Sequence, residues 1–386
     1  MFSRSISLVL LSAVGLVACN SSKKTDGAGA AGSNEIVVGA YLSLSGGEAT
    51  FGSDTRAGID LALEETNAKG GVKGKKVRVI YEDDKSKSEE ASNKVRQLID
   101  REKVVALLGE VASSRSEAGG IIAQGKQVPM LTPSSTGVTV TKGKDFVFRA
   151  CFTDEQQGAV AAQFVAQKLG KKKAGILFAA DDDYSAGLAK TFQAHFKKYG
   201  GTVVEKGFQK DETNFTTYLQ GLKKESPEVI FAPVYYSAMG KIARDAKREG
   251  IPGSMFIGSD GWDSPDLLEA VKGGELEGAY LTDLYAADAP YENAKSFVTA
   301  FTTKYKRDPN SLSAQGYDAA NMLFAAIERA PEVTPLAIKT ALAATKDFAG
   351  ATGKITVDAN RNVNKPVVIV QIKAGKFTYH SELLAE

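Results

Sequence analysis

The chain has 386 residues, 43% of them apolar and 24% charged, and a formal charge of +2. That length exceeds one ordinary domain and suits two, and the apolar share excludes wholesale disorder. Lys and Arg are interleaved with acids, which excludes the basic stripe that nucleic acid requires.

Arg4 precedes an apolar run from Ile6 to Val17, and the run closes on Leu16-Val17-Ala18-Cys19. A positive start, a short apolar stretch and small residues before the cut mark a secretory signal over 1–18. The run is too short for a comfortable membrane span. Leu-Val-Ala-Cys resembles the bacterial lipobox, which implies that Cys19 becomes the lipid-bearing first residue. Losing 1–18 removes only Arg4, so the charge falls from +2 by one to +1. Residues 19–34 hold no large apolar side chain and read as a flexible tether. Within them Gly27-Ala28-Gly29-Ala30-Ala31-Gly32 matches G-x-G-x-x-G, but no strand precedes it, so no dinucleotide site is expected. Cys151 is then alone and reads as a buried apolar filler.

From Glu35 onward strand and helix patterns alternate. Ile36–Tyr41, Val77–Tyr81, Val104–Leu108 and Val128–Leu131 read as buried strands. Ile59, Ala62, Leu63 and Thr66, and then Ala91, Val95, Leu98 and Ile99, fall at helical spacing. The pattern restarts with a helix through Ala161, Phe164, Val165 and Leu169. Strands are expected at Ala174–Ala179, Thr202–Val204, Val229–Pro233 and Met255–Gly258, with helices at Tyr184–Tyr199, Phe215–Lys224 and Ala238–Glu249. Such alternation predicts two parallel sheets covered by helices on both faces. The tail adds helices at Tyr291–Lys306, Ser311–Ala330 and Pro335–Ala344, then strands at Lys354–Val357, Val367–Ile372 and Lys376–Tyr379.

Open parallel sheets bind ligands beyond the carboxyl ends of their strands. In the first half those positions carry Ser45 to Gly52, Ser113-Ser114 and Thr132 to Thr136, which are hydroxyls and helix-starting amides suited to a carboxylate. In the second half they carry Asp181-Asp182-Asp183-Tyr184, Tyr235-Tyr236 and Ser259-Asp260-Gly261-Trp262, which suit an ammonium and an apolar body. Helix capping accounts for any one of these residues alone. Their recurrence at the same ends argues for a zwitterion held between two halves. Asp181-Asp182-Asp183 by itself reads as a capped, solvated turn.

Those stretches resemble the leucine/isoleucine/valine-binding proteins, the type I periplasmic binding proteins of branched-chain amino acid ABC transporters. The likeness runs from Glu35 to near the C-terminus. It is carried by Leu44-Ser45-Gly46 with Phe51-Gly52, Asn67-Ala68-Lys69-Gly70-Gly71-Val72-Lys73-Gly74, Ala112-Ser113-Ser114, Leu131-Thr132-Pro133-Ser134-Ser135-Thr136, Asp183-Tyr184 with Gly187, and Gly258-Ser259-Asp260-Gly261-Trp262. The resemblance implies an α/β fold of two doubly wound parallel-sheet lobes joined by a three-segment hinge. It places 35–151 plus 284–364 in the N-terminal lobe and 152–283 plus 365–386 in the C-terminal lobe. It implies that Ser113 and Thr136 bind the ligand carboxylate. The Ser134 carbonyl, the Thr136 hydroxyl and the Asp260 carboxylate would hold the ammonium. Phe51, Tyr184, Tyr235 and Trp262, with Gly261 in the same stretch, would line the remainder. Asp260 stands where the best-known member has Glu, Phe51 where Tyr is common, and the cysteine pair of some members is missing.

Catalysis is not expected. His195 and His380 are the only histidines, neither sits beside a nucleophile, and Cys and His lack metal spacing. No cofactor is implied. The expected partners are a small amino acid, a membrane-embedded ABC permease and, through Cys19, the membrane, with the protein extracytoplasmic and monomeric. A sensory role in signalling or chemotaxis, or a related amide, urea or aromatic acid as ligand, is the alternative. Arg115, just past Ser113, reads as a solvated helix residue; facing the cleft it would favour a ligand with an extra acid.

Overall fold

Two separate sheets organise the chain. The computed structural model describes residues 35–291 and 294–386. Cys19, the signal 1–18 and the tether 19–34 lie outside the described residues.

The first sheet takes β1 (Glu35–Leu42), β2 (Lys76–Asp83), β3 (Leu107–Leu108), β4 (Met130–Thr132) and β5 (Val147–Arg149), in the order β2-β1-β3-β4-β5 with every pair parallel. Helices α1 (Ala49–Ala68), α2 (Ser88–Asp100) and α3 (Ser113–Lys126) make the crossovers. β1 is buried on both sides, as its unbroken Val-Val-Gly-Ala run requires.

After β5 the chain enters α4 (Asp154–Gln163), where Thr153 and Gln156 form a capping box. There follow β6 (Lys173–Ala179), α5 (Asp183–Lys198), β7 (Thr202–Phe208), α6 (Thr216–Lys224), β8 (Val229–Phe231), α7 (Tyr236–Arg248), β9 (Phe256–Gly258), α8 (Pro265–Ala270) and β10 (Tyr280–Asp283). The chain then leaves this sheet for α9 (Ala294–Tyr305), α10 (Ser311–Arg329), α11 (Pro335–Ala343) and the β11 (Phe348–Gly350)–β12 (Gly353–Ile355) hairpin. It returns as β13 (Val367–Lys373) and β14 (Lys376–Leu383). The second sheet is ordered β14-β13-β10-β9-β8-β6-β7. Its last two pairings, β10–β13 and β13–β14, are antiparallel, so an otherwise parallel sheet carries a reversed edge.

α10 belongs with the first sheet through α1. Gly58 and Gly316 let the two helix backbones touch: a Cβ on Gly58 would lie 1.9 Å from the Ser313 carbonyl oxygen, and one on Gly316 2.3 Å from that of Thr55.

In each sheet the strand order reverses once, between β1 and β3 in the first and between β6 and β8 in the second. A crevice opens where adjacent crossovers leave for opposite faces. Ser113 opens α3 after β3, Tyr184 lies in the first turn of α5 after β6, and Tyr235 lies in the loop after β8, so connectivity alone brings three of the expected residues to switch points.

Candidate functional site

The first rim is a set of short loops held from below. Arg149, the last residue of β5, is fully buried and donates to the carbonyls of Ser135 (2.8 Å) and Gly137 (2.7 Å). Ser135 N donates to Thr132 Oγ1 (3.0 Å), and Gly137 N donates to Ser113 Oγ (2.9 Å). These bonds fix the segment that presents Ser134 and Thr136 against the first turn of α3. That turn's leading amides have no partner within their own helix, which favours an anion there. Ser134 Oγ is buried and has no hydrogen-bond partner among the described residues.

The second rim centres on a buried carboxylate. Asp260, in a short 3-10 turn (Asp260–Trp262) after β9, accepts at Oδ1 from Tyr184 Oη (2.6 Å) and Gln157 Nε2 (2.8 Å). Gly261 N donates to the Tyr184 hydroxyl (3.2 Å). Burial pushes Asp260 above the usual carboxylate range, against these bonds, which pull it down. Asp154, at the start of α4, is pushed up to about 8 by burial and then by the charge of Asp260. Two buried acids repelling one another mark a place where a cation is favoured.

Aromatic rings close the space. Tyr184 and Tyr235 stack with centroids 4.9 Å apart and planes 6° from parallel. Phe51, from α1, meets the Tyr235 ring edge-on at 5.6 Å. The Tyr235 hydroxyl is buried and has no partner among the described residues. Phe51, Ser113, Ser134, Thr136, Tyr184, Tyr235, Asp260 and Gly261 surround one crevice, with Val111 and Leu312, closed down to a free volume of about 10 Å³. That is room for about one water, far below the ~300–1,000 Å³ of drug-sized sites, so a solute enters only as the two rims part.

Trp262 stands apart from this lining. Its Nε1 donates to the Ala232 carbonyl (3.0 Å), and its ring lies so close under Gly258 that a Cβ there would be 2.3 Å from it. The indole supports the turn from beneath. Arg115 departs from the solvated fate expected of it: it is 1% exposed. Its Nη1 lies 3.0 Å from Glu48 and its Nε 3.1 Å from Glu110, with Asp84 3.9 Å away. A buried guanidinium persists because these carboxylates surround it. Asp84 is pushed up to about 7 by burial and by the Glu110 charge. The Asp181-Asp182-Asp183 run is a capped turn as expected: Asp182 Oδ1 accepts from Ser185 N (3.1 Å) at the start of α5, and its Oδ2 pairs with Lys210 (2.8 Å). Cys151 is fully buried.

Sequence reasoning missed Gln157, Asp154, Arg149 and Glu110. Glu110 follows β3 directly and shared the strand-end signal. Gln157 and Asp154 lie at the start of the helix read from Ala161, Phe164, Val165 and Leu169, ahead of that apolar face, and Arg149 lies in a strand too short to show a period.

The sequence pattern of the family described as "Periplasmic binding protein" matches residues 35–376. The chain is 29% identical over 321 residues to the leucine-, isoleucine-, valine-, threonine- and alanine-binding protein of Pseudomonas aeruginosa, covering 82% of this chain and 83% of that one. Among solved structures it resembles a leucine-binding protein LivK of Thermotoga maritima: 36% identity, TM-score 0.86, covering 90% of this chain and 98% of the other. It also resembles the LivJ substrate-binding protein of Streptococcus pneumoniae in complex with isoleucine, with 30% identity, TM-score 0.85 and coverage of 91% and 99%.

Proposed function

Since this chain belongs to the periplasmic binding protein family, solute-binding proteins of transporters rather than enzymes, we propose that it captures leucine, isoleucine or valine and delivers it to an ABC importer. The observation that carries this reading is the opposition of two chemistries across the crevice. Ser113, Thr136 and the first turn of α3 stand on one rim, and the buried Asp260 carboxylate on the other. A zwitterion answers both. The ligand carboxylate takes the amides and hydroxyls of the first rim, and its ammonium takes Asp260 and relieves the repulsion with Asp154. The side chain meets Phe51, Tyr235, Val111 and Leu312. The unpartnered Ser134 and Tyr235 hydroxyls also support a bound polar group.

In this reading the three passages between sheets, after β5, after β10 and before β13, act as a hinge. The ligand touches both rims, so it favours the closed form. The closed form docks on the permease, while lipid on Cys19 keeps the protein at the membrane surface outside the cytoplasm. A thermal-shift screen of leucine, isoleucine, valine, urea and benzoate tests the ligand class. Specific binding to the native state raises the melting temperature. Stabilisation by benzoate or urea with none by the amino acids would sink the proposal.

A further inference from the structure

Every strand pair in the first sheet is parallel, so all five strands begin at one end of the sheet, its base. The crevice lies beyond the opposite, carboxyl ends. The eight residues of β1 put about 26 Å between the two. We propose that this base is a membrane-docking surface, which meets the anionic headgroups of a phospholipid bilayer and leaves the crevice facing solution. The pose rests on the lipid at Cys19 proposed above, which holds the base near the bilayer.

Between α1 and β2, residues 69–78 hold five cations and no acid. Lys69, Lys73, Lys75, Lys76 and Arg78 are all exposed. Lys69 closes α1, where the helix dipole favours any cation. Lys73, Lys75 and Lys76 belong to no helix, so the dipole does not account for them. The ammonium groups of Lys69, Lys73 and Lys75 form no ion pair among the described residues, and Lys76 Nζ donates to the Asn67 carbonyl. Arg78 pairs with Glu35 (3.0 Å), and Glu328 accepts from Lys73 N (2.5 Å). Set against those two acids, the five cations leave a formal excess of three. The chain without 1–18 carries +1, so taking this patch away lowers the charge by three to −2. The positive charge of the protein is concentrated here.

The turn that carries these lysines is rigid. Val72 and Lys75 exchange both backbone bonds (2.8 and 2.9 Å), and the Val72 side chain is buried. Asn67 ties the turn to β2, accepting from Val77 N (2.9 Å) and donating to the Val77 carbonyl (2.8 Å). Gly71, at φ +85°, has no room for a side chain: a Cβ would lie 1.9 Å from the Lys75 carbonyl oxygen. A fixed turn presents its charges without losing backbone freedom on docking. Its place in the chain supplies the partner. Glu35, the first described residue, pairs in register with Lys76, so residues 19–34 join the sheet beside this turn. Sixteen residues reach at most about 55 Å. Attraction to headgroups fades over about 10 Å at 0.1 M salt, so it acts on groups held close, as a tether rooted here holds these.

Partition of the full chain into vesicles tests the surface, with equimolar phosphatidylglycerol and phosphatidylcholine set against phosphatidylcholine alone. The lipid on Cys19 enters both kinds alike, so the ratio of the two partition coefficients reports the base. That ratio should be about tenfold or more at about 20 mM NaCl and fall towards one at about 0.5 M. Lys69→Glu/Lys73→Glu/Lys75→Glu should bring it close to one at low salt. Lys190→Glu/Lys197→Glu/Lys198→Glu, the same charge change on exposed residues of α5, should leave it within about twofold. Should the first variant melt out by circular dichroism, Lys73→Gln/Lys75→Gln reads the same loss. A ratio near one in the unmodified chain, or equal losses in both triple variants, would overturn the docking surface. Weak partition into phosphatidylcholine alone with the ratio intact would remove the lipid at Cys19 and leave the surface standing.

Discussion

Gln157 Nε2 donates to Asp260 Oδ1 across 2.8 Å, so the first helix after the sheet-to-sheet passage aims the acid at the centre of the crevice. Tyr184 bonds the same oxygen at 2.6 Å. Asp260 is therefore oriented before any ligand arrives.

Asp260→Ala should cut leucine affinity by roughly 100-fold or more, since truncating one partner of a buried charge pair costs about 3–5 kcal/mol. Calorimetry is the measurement. Undiminished affinity would take Asp260 out of the site.

Arg149→Met should weaken both fold and binding. It strips hydrogen bonds from the Ser135 and Gly137 carbonyls, leaving Ser135 only the 3.4 Å bond from Cys151 Sγ, and a buried carbonyl left unpaired costs about 1–3 kcal/mol. Arg149→Lys should not rescue, because one ammonium cannot reproduce the guanidinium fork. Denaturant titration and calorimetry on both variants check this; full rescue by lysine would contradict it.

Stability should fall as pH rises from 5 to 8. The folded-state value of Asp84 is raised to about 7 from 3.8 by burial and Glu110. A raised value means that its contribution is fully present below the unfolded value and is lost as pH passes through the folded one. Asp263, raised to about 6 chiefly by burial, acts in the same direction. Asp84→Asn should flatten the melting temperature profile around neutrality. A profile as steep as that of the unmodified protein would rule out this assignment.

Trp262→Phe should separate stability from binding. It loses the Nε1 bond to Ala232 and part of the packing under Gly258, an expected cost of about 1–3 kcal/mol. Leucine affinity should change less than about threefold, because the indole is not part of the crevice wall. A large affinity loss at unchanged stability would put the ring in contact with ligand.

The alternation of apolar runs and helical periods made the two-sheet plan legible, and the switch points then told where Ser113, Tyr184 and Tyr235 must emerge. Three features escaped. The three-residue β5, Val147–Arg149, is too short to carry a period, so Arg149 passed unnoticed. The reversed edge β13–β14 has the same residue pattern as any buried strand, and direction is set by partners far away in sequence. Arg115 sits among ordinary helix residues, and only folding brings Glu48, Asp84 and Glu110 around it. Local patterns report faces and ends of elements; they do not report which distant charges will share a buried site.

β13 fills the place beside β10, yet it is made long after β10, once the α9–α11 excursion has been completed. A nascent chain stopped at Lys365 leaves β10 as a bare edge, with Leu281 and Asp283 offering unpaired amides and carbonyls to any passing strand. The second sheet is thus sealed by its last-synthesised part. C-terminal truncation should favour aggregation over a smaller stable product, and any holdase that guards this polypeptide has most to shield along that strand until the final hairpin arrives.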